Sequence, residues 1–116
     1  MIVGIQGTSS FNDYSVFLRA MGVALRELTE DDTEFTVFSA GPLTINRFAS
    51  EFLNVSERSL KARGIKVKLV KVPPSWFKTN MNIINYFAYF SKPKEPVSDL
   101  VDMAEAKDIE VGVYRF

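Results

Sequence analysis

The sequence predicts a Rossmann-like three-layer α/β sandwich, a single domain (residues 1–116) built on a mainly parallel five-stranded sheet. Apolar strand-like runs alternate with stretches whose apolar residues recur at helical spacing, the order expected of parallel crossover units. The opening run, Met1 to Gly7, is short, aliphatic and closed by glycine, as a buried strand would be. A chain of 116 residues with 47% hydrophobic content and ten Phe is long enough for one self-supporting core.

In order, the first strand is driven by Ile2, Val3 and Ile5. Thr8 to Asp13 is a polar loop, and Asn12 or Asp13 can cap the helix that follows, because their side-chain oxygens accept from a free backbone N–H. Val16, Phe17, Ala20, Met21, Val23, Ala24 and Leu25 carry that helix from Tyr14 to about Leu28. Glu34 to Ala40 alternates Phe35, Val37 and Ser39 with Thr36 and Phe38, which is a second strand, and Gly41-Pro42 breaks it. Thr44 is the expected cap of a second helix from about Ile45 to Ala62, with Gly64 at its C-terminal stop.

Ile65 to Val72 reads as a third strand. Lys66, Lys68 and Lys71 alternate with its apolar residues, so one face or one edge is expected to be exposed, and lysines would protect an edge strand from sheet-to-sheet pairing. After Pro73-Pro74, Ser75 to Asn82 fits either a turn of helix or an extended loop. Ile83 to Phe90 is rich in aromatics and isoleucine and reads as a strand. Val97 to Lys107, capped by Ser98, reads as the last main helix, and Ile109 to Tyr114 as the last strand. Parallel crossovers of this kind are almost always right-handed.

Composition excludes several kinds of chemistry. The chain has no cysteine and no histidine. Disulfides, thiolate metal sites and Ser–His or Cys–His catalysis are therefore absent. Fourteen basic residues balance fourteen acidic ones, whereas a general nucleic-acid binder needs a cationic excess; the balance argues against nucleic acid as the main partner. Zero net charge also removes colloidal repulsion and suits a homo-oligomer or a standing protein partner. The N-terminus reads as a strand and not as a leader, and no apolar run has membrane-spanning length, so no membrane partner and a cytoplasmic location are expected. Asn54-Val55-Ser56 matches a glycosylation acceptor by pattern alone.

In an open parallel sheet, ligands bind beyond the carboxyl ends of the strands, where strand order reverses. The loop after the first strand is therefore the candidate working surface. Gly7 permits a tight exit, the hydroxyls of Thr8, Ser9 and Ser10 can donate, and the next helix offers free N–H groups suited to phosphate. One such exposed anion contact is worth only about 0.3–1 kcal/mol. The same residues also make an ordinary polar turn and cap. The loop lacks the three glycines of a dinucleotide fingerprint and the lysine of a P-loop. Trp76 either stacks on a ligand base or anchors its loop on the core. Tyr86, Phe87, Tyr89 and Phe90 make either a stacking surface for bases or, as alternation favours, strand core divided between two covered faces. Glu27, Glu30, Asp31 and Asp32 lack metal-ligand spacing.

The run Gly7-Thr8-Ser9-Ser10-Phe11-Asn12-Asp13-Tyr14 resembles the glycine–serine–arginine–x–phenylalanine–x–aspartate–tyrosine opening of YspA-like proteins, members of the SLOG superfamily of Rossmann-like nucleotide-sensing and nucleotide-processing domains. Ala40 to Ala49 is similar to that family's glycine-rich segment, Pro74-Ser75-Trp76 to its Pro-Ala-Asp-Trp, and Ser98 falls where the family has a glycine–threonine helix start. The departures are Ser10 for the first-loop arginine, Leu43 for the arginine after the glycines, Asn46 for the acidic residue, and a Lys92–Ser98 segment with no glycine in place of a phosphate loop.

The resemblance implies a nucleotide or nucleotide-derived ligand held by Gly7, Thr8, Ser9, Ser10, Phe11, Gly41, Thr44, Asn46, Trp76 and Ser98, with no cofactor, no metal and no catalytic residue assigned. The lost phosphate donors leave a second expectation: a protein-interaction modulator of a larger enzyme, of the kind a virus encodes, on a degenerate nucleotide-binding scaffold. A nucleotide N-glycosidase is the third, with Asp13, Asp99 and Glu51 the carboxylates available to it.

Overall fold

A computed structural model describes residues 1–116. Five strands, β1 (Ile2–Gly7), β2 (Glu34–Ser39), β3 (Lys66–Lys71), β4 (Tyr86–Ser91) and β5 (Glu110–Arg115), form one sheet in the order β3-β2-β1-β4-β5, with every neighbouring pair parallel. Four helices connect them: α1 (Tyr14–Arg26), α2 (Leu43–Ala62), α3 (Pro74–Asn80) and α4 (Asp99–Ala106). The fold is the α/β sandwich that the sequence predicts, with β1 central and the lysine-bearing β3 at an edge.

Side-chain alternation divides the core into two layers. Val3 and Ile5 of β1, Phe35 and Val37 of β2, and Tyr86, Ala88 and Phe90 of β4 pack with Phe17, Met21, Ile45 and Phe52 of α1 and α2. Phe87 and Tyr89 of β4 face the other way, onto Phe77 of α3 and Leu100, Val101 and Ala104 of α4. All six β4 residues are buried, because this strand is covered on both faces. Each fully buried Phe contributes roughly 1.5–3 kcal/mol from removal of apolar surface.

Local chemistry sets the helix ends. The Asp13 carboxylate accepts from Val16 N at 3.2 Å and opens α1. Gly64, with φ +78°, closes α2: its N–H reaches Lys61 O, and Ile65 N reaches Leu60 O, the paired bonds of a Schellman stop. Ser98 caps α4 by accepting from Leu100 N at 3.2 Å.

Some boundaries differ from expectation. Thr44 does not cap α2; the helix begins at Leu43, after Gly41 turns the chain at φ +84° and Pro42 takes the cap position with no side-chain bond. Ser75 to Asn82, which fits either helix or extended loop by sequence, is helical: α3 spans Pro74–Asn80, and Met81–Ile83 add a 3₁₀ turn. Strand β4 starts at Tyr86 rather than Ile83. Val3 is level with Tyr86, and Asn85 meets the first residue of β1 through Asn85 N to Ile2 O and Ile2 N to Asn85 Oδ1. Ile83 and Ile84 thus precede any backbone they could pair with. Ile84 and Met81 instead seal the α3/α4 core, a case of packing overriding strand propensity.

Candidate functional site

The strand order places the topological switch between β1 and β4, so the loops leaving these two strands form the rim where a ligand of such a sheet would bind. Backbone bonds tie the rim together. Gly7 N donates to Gly41 O at 3.0 Å, Thr8 N to Phe90 O at 2.9 Å, and Ala40 N to Ile5 O at 2.9 Å. The tips of β1, β2 and β4 therefore lie side by side. Gly7 sits in a tight place, since a Cβ would stand 3.0 Å from Ile45 and 3.1 Å from Phe90 O.

The centre of the rim is a carboxylate. Glu95, in the loop after β4, sets Oε1 against Lys92 N at 2.9 Å, Ser10 Oγ at 3.0 Å and Thr8 Oγ1 at 3.3 Å. The two hydroxyls are 3.0 Å apart. The Lys92 N–H, followed by the Ser10 and Thr8 hydroxyls, holds the Glu95 carboxyl below the ordinary carboxylate range. The loop is gripped from behind by Arg115 at the end of β5, whose Nη1 donates to Ser91 Oγ, Lys92 O and Glu95 O at 2.7–2.8 Å. One oxygen of an anion thus sits on three donors contributed by the two loops of the switch point.

Around this seat the other candidates are distributed unevenly. Ser9 is exposed beside Ser10. At the head of α2, Leu43, Thr44 and Ile45 have N–H groups without intrahelical partners, and neither a side-chain cap nor an acidic residue occupies that first turn. Asn46 is turned toward the sheet, where its Oδ1 accepts from Ser39 Oγ at 2.5 Å. Ser98 is engaged as the α4 cap, and its N–H faces the Tyr89 hydroxyl, which burial and then the Glu95 charge push up.

Phe11 is fully buried, stacked on Phe90 at 4.8 Å and edge-on to Phe116 at 4.9 Å. In this position it is core and offers a ligand no surface, which corrects its place in the expected binding set: the loop turns back at Phe11 N to Thr8 O and drives the ring beneath the hydroxyls. Trp76 stacks on Phe38 at 4.3 Å, partly exposed, on the α3/α4 face. It anchors the start of α3, its ring also edge-on to Phe77. Of the carboxylates considered for hydrolysis, Asp13 is the α1 cap, bonded to Ser15 Oγ and Val16 N, while Glu51 and Asp99 are exposed. Asp32, from the acidic segment, pairs with the Met1 amino group at 3.4 Å and receives Thr29 N at 2.7 Å.

Sequence reasoning missed Glu95, Lys92, Arg115 and Gln6. Gln6 is level with Tyr89 of β4, and its Oε1 is buried without a partner. Glu95 had one legible signal: it is the first acidic residue after a stretch, Arg58 to Lys94, that carries none. The four concavities of the surface lie elsewhere, three along α2 and β3 and one at the amino ends of β1 and β5. No helix is long and apolar enough to cross a membrane. No family model, curated protein or solved structure matches this chain.

Proposed function

We propose that the chain is a non-catalytic binding module whose switch-point rim takes a nucleotide or nucleotide-derived ligand, with a ligand phosphate replacing the Glu95 carboxylate. The observation that carries this reading is the three-donor seat of Glu95 Oε1 on Thr8, Ser10 and the Lys92 N–H. A carboxylate and a phosphate oxygen ask for the same thing, convergent donors. The resemblance to YspA-like SLOG domains points to the same rim.

Because the seat is filled from within, ligand affinity is reduced by the fraction of molecules in which Glu95 has left it. Titration calorimetry with AMP and ADP-ribose, on the wild type and on Glu95→Ala, tests this. The variant is expected to bind about tenfold or more tightly than the wild type, as follows if the seat is internally occupied at least nine-tenths of the time. Saturating nucleotide that produces no heat with either protein overturns the reading.

The closed mouth favours one alternative, a protein-interaction module that modulates a larger partner. Leu43, 68% exposed at the head of α2, is then a contact residue. A stoichiometric partner recovered by wild type and lost with Leu43→Asp supports that alternative; recovery unaffected by the substitution counts against it.

A further inference from the structure

Zero net charge hides a strong segregation. Arg58 to Lys94 holds nine basic residues and no acidic one, whereas Glu95 to Glu110 holds six acidic residues and one lysine. In the fold Arg58 to Lys71 lie on α2, β3 and the turn between them, and Asp99 to Glu110 on α4 and β5, at the two edges of the sheet; Lys78, Lys92 and Lys94 lie between, on α3 and the loop after β4. The sole ion pair within 4.0 Å is that of the Met1 amino group with Asp32; no lysine or arginine side chain is neutralised by a carboxylate of its own chain.

At the basic edge, α2 and β3 leave a groove along the sheet, with concavities of about 190, 320 and 480 Å³. Leu53, Val67 and Leu69 give it an apolar floor, and Lys61, Lys66 and Lys68 line it, with Glu57 the one acid among them. At the acidic edge, Asp99, Asp102 and Glu105 recur at three-residue intervals along α4 and are all exposed, which sets them on one side of the helix. Val113 of the neighbouring β5 is 37% exposed.

We propose that the α2–β3 groove docks the acidic side of α4 from a second copy of this chain. Lysines of one copy meet carboxylates of the next, and Val113 meets the apolar floor. The two surfaces differ, so the contact is head-to-tail and builds rings or open chains rather than a two-fold dimer. The inference is independent of the nucleotide reading, because neither surface includes the Glu95 seat.

Sedimentation velocity at high protein concentration tests it, at about 0.01 M and about 1 M salt, where the screening length falls from roughly 30 to 3 Å. Wild type should associate at low salt and be monomeric at high salt. Lys66→Glu with Lys68→Glu, and separately Asp102→Lys with Glu105→Lys, should each abolish association, and mixing the two proteins should restore it. All four positions are exposed, and circular dichroism checks that each variant is folded. Wild type that is monomeric at low salt overturns the proposal. So does association that survives either double substitution, or that the mixture fails to restore.

Discussion

Replacing Phe11 by alanine separates the buried role of this ring from the ligand contact that its loop position suggests. The ring is fully enclosed, stacked on Phe90 and edge-on to Phe48 and Phe116. Phe→Ala at such a site costs about 3–5 kcal/mol, from lost transfer energy and the cavity left behind, and the aromatic pairs place it toward the upper end. A domain of this size has only about 5–15 kcal/mol to lose. Near the midpoint each kcal/mol moves Tm by about 4 °C for a chain of this length, so Phe11→Ala should melt roughly 12–20 °C below wild type in scanning calorimetry. Phe11→Leu should lose less than half as much. A Phe11→Ala protein that melts within about 4 °C of wild type would refute the placement of this ring in the core.

Three further outcomes follow. Gly112→Ala should destabilise strongly, because a Cβ there overlaps the Tyr86 hydroxyl and comes within 2.7 Å of the Tyr114 ring, and those two tyrosines are hydrogen-bonded across β4 and β5; urea denaturation measures it. Ser98→Ala should cost about 1 kcal/mol through loss of the α4 cap, seen in the same assay as a lower midpoint with an unchanged slope. Asp13, Asp32 and Glu95 all have carboxyls lowered by hydrogen bonds. Their stabilisation is present above the unfolded carboxylate range near pH 4 and is lost as pH falls through the lower folded values. Thermal melts should therefore be flat down to about pH 5 and fall below about pH 4. Glu95→Gln should fall less steeply and converge with wild type in acid.

Much of the architecture was legible because local and global signals agree. Ile2, Val3 and Ile5 before Gly7, the helical spacing from Val16 to Leu25, Gly64 after α2 and the lysines of β3 each say the same thing at two levels. Ile83 and Ile84 misled because strand propensity carries no information about where the partner strand begins. Thr44 misled because a Gly-Pro turn can start a helix without a side-chain cap.

The site was half legible for a related reason. The β1 loop is recognisable from its glycine and hydroxyls. Its counterpart after β4 becomes relevant only once β4 is known to lie beside β1, and strand order is a long-range property. Nothing local in Lys92-Pro93-Lys94-Glu95 announces a carboxylate that crosses to Thr8 and Ser10. Phe11 reads equally well as a ligand-facing or an inward aromatic until the loop's return at Thr8 is seen.

The most direct test is an amide NMR titration of wild type and Glu95→Ala with AMP. Shifts concentrated at Thr8, Ser9, Ser10 and Lys92, appearing at lower AMP in the variant, are predicted if the internal carboxylate stands where a ligand anion belongs. Unperturbed amides in this loop pair, with shifts elsewhere or none, would contradict it.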